Sequence, residues 1–377
     1  MKDNPLKQLE TMGQSIWLDY IRRDLLASGK LRRLIEDDGL EGMTSNPTIF
    51  EKAIVESHDY DADIWSMARE GKSAQVIYET LSQSDIKNAA DEFRPVYNKS
   101  DGKDGYVSLE VNPHLAHDTG GTIAEARRLC KALDRPNVFI KVPATIEGLD
   151  AIRQLISEGI NINVTLLFGL PRYRQVAEAY ISGIEECLAK GNPVKHVTSV
   201  ASFFLSRIDV LLDPMLEKII ALGGEKAQLA KKVHGQVAIA SAKVAYRIYK
   251  EIFNGERFAK VWSQGARPQR VLWASTGTKN PAYSDVKYIE SIIGPNTINT
   301  APLETINAYR DHGEPKIRLE LDVDFAEKIL QRLPELGIDI DAMTQQLEDQ
   351  GIEKFNQPFD RLMKKLEEYC HEYKKRV

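Results

Sequence analysis

Short apolar segments recur along the chain with helix-like stretches between them, the pattern of repeated strand and helix units that build a parallel sheet. Eight such segments stand out: Ser15 to Asp19 (SIWLD), Leu40 to Ser45 (LEGMTS), Tyr106 to Val111 (YVSLEV), Val138 to Val142 (VFIKV), Ile162 to Phe168 (INVTLLF), His196 to Ser202 (HVTSVAS), Arg270 to Ser275 (RVLWAS) and Thr297 to Ala301 (TINTA). Eight strands with intervening helices predict an α/β fold, a (β/α)8 TIM barrel, whose active site lies at the carboxyl ends of the strands while inward side chains fill the interior. Two intervals, Ser45 to Tyr106 and Ser202 to Arg270, are much longer than the others and read as helical insertions. The second opens as SRIDVLLDPMLEKIIAL and breaks at Gly223-Gly224. From Glu225 to about Phe253 one long helix is expected, with an apolar stripe of Val233, Val237, Ala240, Val244 and Ile248 that reads as core packing.

After the eighth segment the pattern is helical again. Phe355, Phe359, Leu362, Leu366 and Tyr369 give the last stretch one apolar side, expected to pack on the barrel and leave Lys374 to Arg376 solvated. No internal repeat, low-complexity run or long Gly/Ser linker divides the sequence. A single domain over residues 1–377 is therefore expected, with a helical insertion at about 203–269 and a C-terminal helical extension at about 302–377.

Composition narrows the function. A chain of 377 residues that is 42% hydrophobic can bury a large core. With 50 basic against 55 acidic residues and a net charge of −5, it lacks the basic field that nucleic-acid binding needs, whereas a small anionic substrate needs only a few local cations. The opening MKDNPLKQLETMG is polar and no run reaches the ~18 apolar residues of a membrane span, so a cytoplasmic protein without a membrane partner is expected. Cys130, Cys187 and Cys370 are far apart and form no C-x-x-C pair, which reads as reduced packing or surface residues.

One charged residue is out of place. Lys141 sits between Phe139, Ile140, Val142 and Pro143 in a segment whose two faces both look buried. Taken alone, such a lysine is more often one that snorkels from a strand end or pairs with a carboxylate. Burial, however, disfavours an ammonium, and a neutral amine is what attacks a carbonyl to form a Schiff base. The other strand ends weigh toward that second reading. They carry Asp19, Asn46 just past the second segment, Glu110, Asn163 with Thr165, Ser202 and Ser275, and period-two alternation places Asn163 and Thr165 on one face, suited to line one pocket. Individually each has a plain alternative: Asn46 before Pro47 reads as a helix start, and Glu110 as a solvated strand-end acid.

Other motifs carry less. His114-x-x-His117 has metal-like composition but follows Pro113 at a helix start, without an HExxH or paired-cysteine pattern. No glycine-rich nucleotide fingerprint follows a strand, and Asn163-Val-Thr165 matches a glycosylation acceptor in a chain with no export signal. No metal or organic cofactor is expected.

The stretches EGMTSNPTIFEKAI (Glu41 to Ile54), FIKVPATIEGLDAI (Phe139 to Ile152) and NINVTLLFGLPRY (Asn161 to Tyr173), in that order and at barrel-compatible spacing, resemble the transaldolase family. The long helical insertion and LWASTGTKNP (Leu272 to Pro281) are similar to its longer bacterial branch. The resemblance implies a class I aldolase-like barrel in which Lys141 forms the Schiff base, Asp19 is the acid/base group for carbon–carbon cleavage, and Glu110 handles protons through a water that Thr165 helps hold. It further implies that Asn46 and Asn163 bind the hydroxyls of a dihydroxyacetone unit, and that Ser202 and Arg207 match the family's substrate-binding serine and phosphate-binding arginine. Where many members have a serine followed two residues later by arginine, this chain has Ser275-Thr-Gly-Thr-Lys279, so Lys279 is expected as the second phosphate cation.

The activity so implied is transfer of dihydroxyacetone between sugar phosphates in the pentose phosphate pathway: sedoheptulose 7-phosphate and glyceraldehyde 3-phosphate give erythrose 4-phosphate and fructose 6-phosphate. Two alternatives remain at this point, a fructose 6-phosphate aldolase that releases dihydroxyacetone and a noncatalytic sugar-phosphate-binding barrel. The small aldolases replace the strand-three glutamate with glutamine, so Glu110 favours transfer. A pure binding protein has no need of a buried amine opposite an aspartate.

Overall fold

Strands of an all-parallel sheet are covered on both faces and read as nearly continuous apolar runs. The eight segments behave accordingly. In the structure, a computed structural model, they form β1 (Gln14–Asp19), β2 (Gly42–Thr44), β3 (Tyr106–Glu110), β4 (Val138–Pro143), β5 (Ile162–Leu167), β6 (Ser199–Phe204), β7 (Arg270–Ala274) and β8 (Thr297–Ala301). Each pairs in parallel with the next, and β8 pairs with β1 to close the barrel. Every residue of β3 to β8 is buried. The structure describes residues 4–376, with side chains through residue 371, so the expectation of a solvated Lys374 to Arg376 falls on side chains that lie outside the described ones.

The amino end of the barrel is plugged. Phe139 stacks on Tyr106 at 4.3 Å and on Trp17 at 6.2 Å between ring centroids. Below the rings, buried Arg270 pairs with Asp104 at 2.8 Å, and Asp104 also accepts from Trp17 Nε1 (3.2 Å) and Ser15 Oγ (3.0 Å). The charges are thereby matched and hydrogen-bonded, the condition under which burying them is tolerable. Polar chemistry is left to the other end, where the register sets Glu110 beside Lys141 and Lys141 beside Asn163.

Two expectations are corrected, for the sixth strand and for the helix from Glu225, and the fifth strand adds an irregularity. The sixth strand begins at Ser199 and runs through Phe204, because Val197 N bonds Val194 O in a turn and Thr198 N is held by the Asn161 side chain. The fifth strand carries a register shift between Val164 and Leu167, with Leu166 in the left-handed region at φ 55°, a conformation that bulky residues seldom adopt. The helix expected from Glu225 to Phe253 is two, Gly224–Val233 and Val237–Phe253, because Gly235 turns at φ 68°. Asp213 accepts from Gly235 N (2.8 Å) and Asp209 from Ala238 N (2.9 Å), satisfying backbone donors at the second helix's start. The stripe Val233, Val237, Ala240, Val244 and Ile248 is buried as core.

The last helix, Ile340–Arg376, buries Phe355, Phe359, Leu362 and Leu366, with Tyr369 partly buried against the same core. It packs on the helices Pro47–Val55, Asp61–Arg69 and Ala74–Glu92. No disulfide forms among the described residues, which include Cys130, Cys187 and Cys370. Among the described residues, no helix is long and apolar enough to cross a membrane.

Gly42 leaves no room for a side chain: a Cβ there would lie 2.4 Å from Trp17 Cε2. Gly42→Ala should therefore lower unfolding free energy by about 1–3 kcal/mol through overpacking, read as a lower urea midpoint at unchanged slope.

Candidate active site

Lys141 ends its strand's run of inward residues at the carboxyl end of the barrel. Its Nζ lies 3.2 Å from Glu110 Oε2, with both side chains about 95% removed from solvent: 5% and 4% exposed. The same nitrogen donates to Ser45 O at 2.9 Å. Burial pushes the Glu110 carboxyl above the usual carboxylate value, and the charge of Lys141 opposes that push. A carboxyl whose proton affinity is raised by burial, in contact with an amine, is suited to exchange a proton with it.

Above this pair opens a cavity of about 470 Å³. Eight of the ten residues singled out in the sequence line it: Asp19, Asn46, Lys141, Thr165, Ser202, Arg207, Ser275 and Lys279. Glu110 and Asn163 do not. Glu110 instead flanks two small cavities, of about 20 and 10 Å³, that it shares with Tyr78. The expectation that Asn163 and Thr165 both line one pocket is met only by Thr165, for a packing reason. Asn163 is fully buried one layer down, donating to Ser108 Oγ (3.1 Å) and accepting from Ser202 Oγ (2.6 Å).

The carboxylate of Asp19 accepts from Thr44 Oγ1 at 2.7 Å, and that hydroxyl also bonds Thr300 Oγ1 at 2.8 Å. Burial raises the Asp19 pKa, while the charge of Lys141, the Thr44 bond and the more distant Arg207 and Lys279 lower it. Asn46 meets both readings given to it. It caps the helix Pro47–Val55 by accepting from Ile49 N (3.0 Å), and it lines the cavity, where its amide nitrogen remains to donate.

Two polar atoms facing this region, Thr165 Oγ1 and Arg207 Nη1, are buried without a hydrogen-bond partner among the described residues. Buried donors without partners are uncommon in native proteins and each calls for an explanation, of which a ligand is one. The Arg207 guanidinium lies over the Phe204 ring at 5.4 Å; burial pulls its pKa down, and the carboxylates of Asp19 and Glu110 pull it up. On the neighbouring strand end, Ser275 is held at φ 54° and bonds Ser206 Oγ at 2.9 Å, next to Arg207. The loop after it is tied down by Tyr283, whose hydroxyl donates to Asp213 at 2.7 Å, and carries Lys279 to the exposed rim. Of the left-handed residues Leu166 and Ser275, Ser275 lines the cavity and Leu166 follows Thr165, which also lines it; strain tends to accumulate where a site fixes its geometry.

Sequence reasoning missed three contributors. Thr44 holds Asp19 but looked like ordinary strand filling, and Phe204 was hidden by a strand boundary drawn too early. Phe355, from the last helix, lines the cavity with its ring 5.9 Å from both Lys141 Nζ and Arg207 Cζ. Its period in the sequence was that of packing. The histidine motif has another use: His114 bonds Asp360 (2.7 Å) and His117 bonds Glu147 (3.1 Å). No cluster able to hold a metal ion exists among the described residues.

The raised pKa of Asp19 has a signed consequence. Ionising it in the folded protein is harder than in the unfolded chain, so its contribution to stability is greatest below the free value of 3.8 and falls as pH rises through the higher native value. Asp19→Asn does not titrate. The stability difference between variant and parent should therefore move in the variant's favour as pH rises from 3.8, measured by urea unfolding across pH, while activity is lost.

A family profile described as transaldolase/fructose-6-phosphate aldolase matches residues 16–366. A protein named transaldolase 2 from a Nostoc species is 48% identical over 372 residues, spanning 97% of this chain and 98% of that one. Transaldolases of Trichodesmium erythraeum and Thiobacillus denitrificans are 47% and 44% identical, covering 98% and 96% of this chain and 98% and 99% of their own lengths. With matches of this extent and a barrel carrying a buried lysine on its fourth strand, the chain belongs to the transaldolase/fructose-6-phosphate aldolase family.

Proposed function

We propose that this protein acts as a transaldolase of the pentose phosphate pathway, a cytoplasmic enzyme built as one barrel domain with its helical insertion and C-terminal extension. The observation that carries this reading is the buried Lys141–Glu110 pair beneath a cavity that also presents Asp19 and an unpartnered Arg207 nitrogen. The names of full-length relatives at 44–48% identity point the same way.

The steps follow from the placement of the groups. Lys141 passes a proton to Glu110 and its amine adds to the ketone carbon of a ketose phosphate; loss of water leaves an iminium, which draws electrons from the bond between carbons three and four. Asp19 takes the proton of the carbon-four hydroxyl as that bond breaks and the aldose phosphate departs. The dihydroxyacetone unit remains on Lys141 as an enamine, with Asn46 donating to one of its hydroxyls. An acceptor aldose phosphate then enters, its aldehyde carbon is attacked, and Asp19 returns the proton to the new hydroxyl. Water adds to the iminium, and the carbon–nitrogen bond breaks to free the product.

Glu110 and Thr165 manage the water in these steps, an assignment supported by Glu110 Oε1 and Thr165 Oγ1, both buried without a hydrogen-bond partner among the described residues. Asn163 acts through Ser202, whose hydroxyl it holds at the cavity wall. Arg207 receives the phosphate, since a planar, rigid donor fork suits a dianion. Ser275 and Lys279 complete that side from the loop of the neighbouring strand. The iminium itself is the electron sink, so the scheme calls for no metal or organic cofactor.

Two experiments test the reading. With fructose 6-phosphate and erythrose 4-phosphate together, the enzyme should form sedoheptulose 7-phosphate and glyceraldehyde 3-phosphate, and Glu110→Gln should slow this by about 10² or more. Rapid release of free dihydroxyacetone from fructose 6-phosphate alone would favour the aldolase alternative. Arg207→Ala should raise KM for phosphorylated sugars far more than for unphosphorylated dihydroxyacetone as donor, with Lys279→Ala acting likewise but less, as its exposure at the rim implies. Equal losses with both donor types would remove these cations from phosphate recognition.

A further inference from the structure

The last helix does more than cover the barrel. Gly351 and Phe355 stand one turn apart on it, and a Cβ at Gly351 would lie 3.0 Å from Leu166 Cδ2 and 3.7 Å from Arg207 Nη1. The small residue lets the helix approach the strained bulge of β5 and the guanidinium. Clamps on either side fix that approach: Arg172 pairs with Glu348 at 3.2 Å, and Arg361 with Glu51 at 2.6 Å. One turn beyond Gly351, Phe355 is 3% exposed and reaches the cavity. Its ring is 5.9 Å from Lys141 Nζ and 5.9 Å from Arg207 Cζ, between the nitrogen that becomes the iminium and the cation assigned to the phosphate.

We propose that Phe355 is a specificity-determining residue that makes the enzyme a transferase, by shielding the lysine-bound enamine from water. This inference rests on the transaldolase reading given above. The enamine has two fates. In transfer, its carbon attacks the acceptor aldehyde and the oxygen takes the proton held by Asp19. In release, the same carbon takes a proton, water adds at the iminium carbon, the carbon–nitrogen bond breaks, and dihydroxyacetone leaves with the Lys141 amine regenerated. Both begin from the same intermediate and both end in hydrolysis of an iminium; they differ in whether the enamine carbon takes a proton from water before an acceptor arrives. An apolar ring beside the enamine takes the space such a water would need and offers it no hydrogen bond, and its negative face favours the iminium cation without supplying a proton.

The acid/base groups are untouched by this role, so the ratio of release to transfer is the quantity to read. With fructose 6-phosphate and erythrose 4-phosphate, the free dihydroxyacetone formed per sedoheptulose 7-phosphate should rise roughly fivefold or more in Phe355→Ala, the scale of one desolvated ring–cation contact. Phe355→Leu, which keeps apolar bulk at the position, should stay near the parent ratio. Phe355→Val, a smaller excision for the case that the alanine variant does not fold, should move the ratio in the same direction by less. A folded alanine or valine variant that turns over more slowly with an unchanged ratio would overturn the inference and leave Phe355 a packing residue. If the unmodified enzyme itself forms no sedoheptulose 7-phosphate, the transaldolase reading fails and the inference falls with it; parent transfer with an unmoved ratio isolates failure of the inference alone.

Discussion

An amine and a carboxyl held 3.2 Å apart with almost no exposure constrain everything around them. Taking two charges out of water costs several kcal/mol per ion, and removing one partner from such a pair typically costs about 3–5 kcal/mol because the other is left uncompensated. The arrangement persists only if neighbouring strands hold both groups in register and further polar atoms share the load. The barrel meets both conditions. β3 and β4 pair Glu110 with Lys141 directly, and Ser45 supplies a carbonyl to the ammonium. The same burial that makes the pair costly raises the proton affinity of the Glu110 carboxyl, as the proposed role of taking a proton from Lys141 requires.

The rest of the interior is layered around that requirement. At the amino end, the Arg270–Asp104 pair and the rings of Trp17, Tyr106 and Phe139 make a plug with its polar atoms matched. In the middle, Ser108, Asn163 and Ser202 form a hydrogen-bonded layer that touches no open space except through Ser202. At the carboxyl end, Thr165 and Arg207 keep buried atoms unpartnered among the described residues. Unpartnered buried atoms also occur away from the cavity, Gln14 Oε1 and Asn137 Oδ1 among them, but Thr165 and Arg207 line the cavity, where a substrate can reach them. Left-handed φ values occur there too, at Ser275 on the cavity wall and at Leu166 next to Thr165.

Much of this was legible in the sequence. Eight apolar segments name the strands because a parallel sheet buried on both faces leaves an unbroken apolar signature, and Lys141 is conspicuous because it interrupts one. The errors are equally physical. His196 to Thr198 read as strand because apolar and β-branched residues also occur in turns, and the helix from Glu225 read as continuous because nothing local reveals that Asp209 and Asp213, far back in the chain, accept from its second start. Asn163 and Thr165 share a face, as alternation requires, yet depth along the strand separates a wall residue from one sealed beneath it. Phe355 was visible only as part of an apolar stripe. Period tells that a residue is buried, but not whether it is buried against a core or against a substrate.

The central claim is that Lys141 is the nucleophile. It is tested most directly by reducing the enzyme with borohydride in the presence of fructose 6-phosphate and mapping the modified peptide by mass. The account predicts a reduced three- or six-carbon sugar adduct on Lys141 in the peptide containing FIKVPAT, and no adduct in Lys141→Ala. An adduct on any other lysine, or none in the active parent enzyme, would contradict it.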